Sequence, residues 1–156
     1  PTDLQRLFRL RDGVAAVVFG ASTFRAWPSV RRGTDPQAVP PVHALLTRDW
    51  ELDPAAPMFR DWDPAWPPIL VVSPNAPPGV FTSSPIRWVP TPAAGGAVET
   101  VDALRHALEA LGVRRALVEG GGHVVDLFLQ ARALHEAYLT LTPWLIGGSD
   151  TPALLG

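Results

Sequence analysis

The stretch Ala116-Leu117-Val118-Glu119-Gly120-Gly121-Gly122-His123-Val124-Val125-Asp126-Leu127-Phe128-Leu129 reads as an apolar strand running into three glycines and then an amphipathic helix. Glycines at a strand-to-helix turn let backbone N–H groups approach a ligand with no Cβ in the way. The helix that follows adds unpaired donors and the positive end of its dipole, so the turn is a place for phosphate. The run also reads as a tight turn packed under a sheet, because its spacing is not G-x-G-x-x-G. Two other strand ends share its character, Gly20-Ala21-Ser22-Thr23 and Thr47-Arg48. Hydroxyls, a guanidinium and a glycine turn outside the carboxyl ends of strands suit a phosphate-bearing nucleotide. Singly, each has a plainer reading: Thr23 as a helix N-cap, Arg48 as a solvated charge, the glycines as packing. Glu119 is the carboxylate of interest. At the end of an apolar strand it is costly to bury unpaired, so it receives hydrogen bonds from a ligand or, as a structural cap, from neighbouring N–H groups.

The elements that position these groups follow from periodicity. Leu4, Leu7, Phe8 and Leu10 recur at near-helical spacing before Asp12-Gly13 stops the pattern, which predicts a helix over residues 3–10. Residues 14–19 (Val-Ala-Ala-Val-Val-Phe), 43–47 (His-Ala-Leu-Leu-Thr) and 69–73 (Ile-Leu-Val-Val-Ser) are short apolar runs of strand length. Such runs belong to central strands covered on both faces. Prolines at 40–41 and 67–68 precede the second and third runs and cannot join the middle of a sheet. The chain holds 18 prolines, which implies long ordered loops. Residues 50–66, with Trp50, Met58, Phe59, Trp62 and Trp66, read as a loop pinned by aromatic anchors. Val101, Leu104, Leu108 and Leu111 mark a helix face, with Thr100 as its N-cap and Gly112 at its end. Residues 115–119 read as a strand, 124–131 as a helix and 138–142 as a half-covered strand. Alternating strands and helices with an extra strand at the end predict an α/β domain, with a mostly parallel central sheet and an antiparallel C-terminal edge.

Bulk properties narrow the classes. A chain of 156 residues, 47% hydrophobic, makes one domain with a sizeable core. Its net charge of −2 disfavours nucleic acid, and the pairs Arg31-Arg32 and Arg114-Arg115 are too short for a basic stripe. The absence of cysteine excludes a disulfide framework, a thiolate nucleophile and a Cys-containing zinc site, and is compatible with the cytoplasm. No apolar run approaches the ~18 residues of a membrane span, so a soluble protein is expected. His43, His106, His123 and His135 show no metal-ligand spacing, and no metal is expected. No Gly-x-Ser-x-Gly elbow supports a serine hydrolase.

Three segments carry a resemblance. Phe19-Gly20-Ala21-Ser22-Thr23-Phe24-Arg25-Ala26-Trp27-Pro28, then Leu45-Leu46-Thr47-Arg48, then residues 120–129 resemble, in order, the NADPH-contacting segments of the dihydrofolate reductase superfamily. Val118-Glu119-Gly120-Gly121-Gly122 and the ending Leu139-Thr140-Leu141-Thr142-Pro143-Trp144-Leu145-Ile146-Gly147-Gly148 are similar to the riboflavin-biosynthesis pyrimidine reductases. In that family the domain often follows a zinc deaminase. The resemblance implies a three-layer dihydrofolate-reductase-like fold, NADPH as cofactor and reduction of the ribose of a phosphoribosylamino-pyrimidine. It implies that Thr23 contacts cofactor phosphate, that Thr47 and Arg48 hold the 2′-phosphate, and that Gly120, Gly121, Gly122, His123 and Val124 cradle the pyrophosphate and nicotinamide side. Trp27, where the family usually has an acidic residue, counts among the cofactor contacts. Glu119, with Arg31 and Arg32, would face the substrate. No catalytic acid is assigned.

Residues His135-Glu136 replace the family's Asp-Glu pair, and the family's opening strand with its Ser-x-Asp-Gly segment has no counterpart after Pro1. Because residue 1 is not Met, the numbered chain is expected to start inside a longer polypeptide. The sequence also lacks the His-x-Glu and Pro-Cys-x-x-Cys elements of a deaminase. A superfamily reductase with another substrate and a non-catalytic nucleotide-binding homologue therefore stand beside the main reading. The family suggests a homodimer built through the C-terminal strands. The apolar residues from 139 to 155 suit that contact, or an edge covered within the monomer.

Overall fold

In the computed structural model, which describes residues 2–81 and 85–140, the apolar runs become the strands of one parallel sheet. Strands β1 (Ala16–Gly20), β2 (Val42–Leu46), β3 (Ile69–Ser73), β4 (Ile86–Pro90) and β5 (Ala116–Val118) lie in the order β4-β3-β2-β1-β5. All four pairings are parallel, with Gly20 opposite Leu46 and Val18 opposite Val118. Strands β1 and β3 are buried throughout, as expected when helices cover both faces.

Alternate residues of each strand feed two cores. On one face, Ala16, Val18, Ala44, Leu70 and Val72 pack under α4 (Ala97–Glu109) and α5 (Gly122–Gln130). On the other, Val17, Phe19, Leu45, Ile69 and Val71 pack under Phe24 of α2 (Ala21–Ala26), Met58 and Phe59 of α3 (Pro57–Arg60), and the anchors Trp50 and Trp62. The residue 50–66 segment is thus pinned as its aromatics predict: the Trp50 indole donates to the Asn75 carbonyl at 2.7 Å and that of Trp62 to the Pro67 carbonyl at 3.1 Å.

Several boundaries differ from the sequence reading. Helix α1 runs Asp3–Asp12 behind a capping box in which the Thr2 hydroxyl accepts from the Gln5 amide. Helix α4 starts after Gly96, with Glu99 closing back on the Gly96 amide. Thr100 is no N-cap; its hydroxyl donates to the Gly96 carbonyl one turn back. Likewise Gly20, not Thr23, is the N-cap of α2. Strand β4 was not foreseen. Tyr138, Leu139 and Thr140 form no strand, and residues 141 and 142 lie outside the described residues. No antiparallel edge is present among the described strands. No described helix is long and apolar enough to cross a membrane.

Candidate active site

The strand order reverses between β1 and β5. From β1 the chain proceeds through β2 and β3 to β4, and then returns through α4 to β5 on the other flank of β1. Such a switch point opens a crevice beyond the carboxyl ends of the strands. Two turns meet there. After β5, Gly120 and Gly121 take φ of 96° and 56°, left-handed values that side chains rarely adopt, and Gly121 is the N-cap of α5. After β1, the chain enters α2 directly, and the Thr23 hydroxyl lies 3.4 Å from the Gly120 carbonyl, to which it donates. A Cβ on Gly121 would meet Thr23 Oγ1 at 3.4 Å and Ser22 Oγ at 3.5 Å, whereas a Cβ on Gly120 would meet nothing within 4 Å. The glycine turn therefore combines a glycine-only backbone, a neighbouring hydroxyl pair and open space, and it fits a dinucleotide pyrophosphate. At Gly20 a Cβ would sit 2.9 Å from Val124 Cγ2, so this glycine lets α5 seat closely on β1.

The other predicted cofactor residues lie along the same sheet edge. Thr47 follows β2, next in line to the end of β1, and is buried, while Arg48 is exposed. The Arg48 carbonyl accepts from the Asn75 amide nitrogen at 2.7 Å, which fixes its backbone and leaves the guanidinium outside. Asp49 stands in the same loop, with Oδ1 3.5 Å from the Thr47 hydroxyl and 3.3 Å from the Glu51 amide. His123 is exposed at the start of α5, and Val124 is buried beneath it. Trp27 closes α2 with its backbone N–H bonded to Thr23 and Phe24 carbonyls while its side chain is largely exposed, at 72% for the residue.

The predicted substrate residues separate. Glu119 and Arg31 come together, and a third residue that sequence reasoning missed joins them. Arg11, at the end of α1, donates from Nε to Glu119 Oε1 at 2.5 Å and from a terminal nitrogen to Oε2 at 2.7 Å. Arg31 Nε lies 3.4 Å from Glu119 Oε2. The three side chains are only 5–11% exposed, and together they carry one net positive charge. Arg31 also lies over the Phe19 ring at 3.8 Å and donates to the carbonyls of Ser29 at 2.9 Å and Trp27 at 3.2 Å. Burial pushes its guanidinium down to about 10, with Glu119 opposing that shift, so it stays charged at neutral pH. Its Nε–H has no hydrogen-bond partner among the described residues, a costly state for a buried donor. Arg32 points elsewhere: it donates to the Ala38 carbonyl at 2.6 Å and stacks over Trp66. Nothing in the sequence could mark Arg11, because its partner lies 108 positions away and Arg6 and Arg9 share its helix.

A groove of about 1660 Å³ along the outer side of β5, between α1 and residues 133–140, reaches Glu119 and Gly120. The carboxylate thus borders both the buried arginines and open space. Among the described residues no three His, Asp or Glu side chains gather as a metal site.

Among solved structures, a pyrimidine reductase-like protein from Corynebacterium diphtheriae matches with a TM-score of 0.78 at 21% identity, over 99% of this chain and 68% of that one. RibD from Acinetobacter baumannii matches with a TM-score of 0.72 at 18% identity, over 98% of this chain and 41% of that one. A diaminohydroxyphosphoribosylaminopyrimidine deaminase/5-amino-6-(5-phosphoribosylamino)uracil reductase from Thermotoga maritima matches with a TM-score of 0.57 at 20% identity, over 80% of this chain and 33% of that one. The chain therefore spans less than half of the last two proteins, and these likenesses establish the fold. No curated protein sequence matches. The model of the RibD C-terminal domain family matches residues 1–156, and the chain belongs to that family.

Proposed function

We propose that this chain is a riboflavin-pathway reductase that uses NADPH to convert a phosphoribosylamino-pyrimidine to its ribitylamino form. The observation that carries the reading is the meeting of the Gly120–Gly121 turn with Thr23 at the β1/β5 switch, beside the Arg11–Glu119–Arg31 cluster. Membership of the RibD C-terminal domain family supports the reaction class.

Bound NADPH would supply a hydride to C1 of the ring-opened sugar in its imine form, the nitrogen gaining a proton as the amine forms. The protein's contribution is binding and orientation. The backbone of Gly120, Gly121 and Gly122 and the first N–H groups of α5, including those of His123 and Val124, offer donors to the pyrophosphate. The Thr23 hydroxyl stands beside them, and Trp27 presents a flat apolar surface one helical turn further along α2. Thr47 and Arg48 take the 2′-phosphate. On the substrate side, Glu119 accepts from pyrimidine N–H groups at the groove, and Arg31, whose Nε is ion-paired with Glu119 but makes no hydrogen bond, donates from it to a substrate oxygen beside that carboxylate. Arg11 holds the carboxylate in place. Arg32, bound to Ala38 and Trp66, belongs to the loop that carries Arg31.

Asp49 favours a second reading of the cofactor. A carboxylate beside Thr47 repels a 2′-phosphate and can accept from a 2′-hydroxyl, as NADH would require. The test is NADPH consumption with the phosphoribosylamino-pyrimidine as substrate, run in parallel with NADH. Pyrimidine-dependent NADPH oxidation is expected. Dinucleotide binding without turnover would leave a nucleotide-binding homologue.

A further inference from the structure

His43 is buried completely in β2, far from any expected catalytic role, yet its ring is committed on every side. Nε2 accepts the Arg31 backbone N–H at 2.8 Å, and Nδ1 donates to the Pro41 carbonyl at 2.8 Å. Phe19 and Trp62 pack edge-on against the imidazole, with centroids at 5.9 and 5.0 Å. Phe19 is also the ring under the Arg31 guanidinium. One side chain thus grips the backbone of Arg31 and buttresses the aromatic floor on which its charged end rests.

We propose that His43 is a positioning residue, which acts through Arg31 to hold the Arg11–Glu119–Arg31 cluster in the geometry that receives substrate. The inference rests on the reading that Arg31 serves the substrate. Residues 27–34 are not a regular helix or strand; apart from the Pro28 carbonyl, which accepts from the Met58 N–H at 2.9 Å, and the Trp27 N–H, which closes α2, their backbone is held by side chains, Arg11 at the Arg32 carbonyl and Asp12 at the Thr34 N–H among them. His43 supplies the tie to the Arg31 amide, which β2 fixes to the sheet opposite Val17. A ring that accepts through Nε2 must be neutral with its proton on Nδ1. Burial keeps it so, pushing the imidazole down to about 3 with the charges of Arg31, Arg11 and Arg32 in the same direction. An apolar residue here would leave the Arg31 amide without an acceptor, and the segment would shift to find one.

The test compares His43→Leu with His43→Gln, whose amide can offer an acceptor near the Nε2 position. In His43→Leu the KM for the phosphoribosylamino-pyrimidine should rise about tenfold while NADPH affinity stays within about twofold, and His43→Gln should recover most of that loss. Hydrogen exchange of the Arg31 amide gives a readout free of catalysis: slow in the unmodified protein and in His43→Gln, and faster by about tenfold or more in His43→Leu. Should His43→Leu fail to fold, the exchange rate in the unmodified protein and the KM of His43→Gln remain as readouts. A rapidly exchanging Arg31 amide in the unmodified protein, or an unchanged KM in a folded His43→Leu, overturns the proposal. If the unmodified protein turns over no pyrimidine, the proposed function fails, and the exchange comparison alone decides whether His43 holds Arg31.

Discussion

Two arginine–carboxylate clusters in this molecule have similar contact distances and differ in burial and in balance, one arginine with two carboxylates in the first and two arginines with one carboxylate in the second. On α4, Arg105 reaches Glu109 at 2.8 Å and Asp102 at 3.3 Å with side chains 50–54% exposed. At the switch crevice, Arg11 and Arg31 reach Glu119 at 2.5 and 3.4 Å with side chains 5–11% exposed. The first pair set is local, spaced three and four residues along one helix, and water screens it. The second joins α1, the segment after α2 and the end of β5, and removes two guanidinium groups and a carboxylate from water. Desolvation makes such a cluster a poor source of net stability, so its presence at the mouth of the crevice is better matched to ligand binding than to holding the fold.

Substitution of each carboxylate separates the clusters most strongly. Glu119→Gln leaves two buried cations without a counter-charge and should cost about 3 kcal/mol in urea unfolding, and in the folded protein should reduce pyrimidine turnover more than NADPH affinity. Equal losses of both, or loss of stability alone, would make Glu119 a structural cap.

Arg48 is exposed like Arg105 but stands beside the expected 2′-phosphate, so its value should emerge only on binding. Arg48→Ala should leave stability unchanged and remove a NADPH preference of about ten- to hundredfold, equivalent to about 1.5–3 kcal/mol, with NADH affinity retained. Equal affinities for the two dinucleotides in the unmodified protein would instead assign control to Asp49.

Burial also separates the crevice from the surface by pH, through His43 beneath Arg31. The imidazole of His43 is depressed to about 3 when folded, so the unfolded chain binds a proton below its ordinary value near 6.5 while the folded protein does not. Stability from this group is complete above that value and is lost as pH falls toward 3, by about 2 kcal/mol between pH 7 and 5. His43→Gln should flatten that slope, measured by unfolding at both pH values. The smallest effect belongs to Glu109→Gln, whose exposed pair with Arg105 is screened by water, so unfolding stability should not change measurably; a clear loss would show that exposure is a poor guide to these clusters.

What the sequence disclosed follows the range of the forces involved. Strands β1, β2 and β3 are legible because central strands bury both faces and leave unbroken apolar runs. Strand β4 is not: it is an edge strand carrying Arg87 and ending in Pro90, with only Val89 buried, so no run betrays it. Glycine chemistry marked the β5–α5 turn, where Gly120 and Gly121 take positive φ. Thr100 misled because its hydroxyl satisfies a helix carbonyl as readily as it caps a helix start. The pairing of Arg11 with Glu119 and the grip of His43 on Arg31 arise from chain topology, which local patterns do not encode.

The most direct test of the nucleotide crevice is a map of backbone amide shifts on titrating the protein with NADPH. Shifts should concentrate at Thr23, Thr47, Arg48 and residues 120–124, with Arg105 and Glu109 unmoved. An unperturbed Gly120 and Gly121 at saturating NADPH would contradict the account.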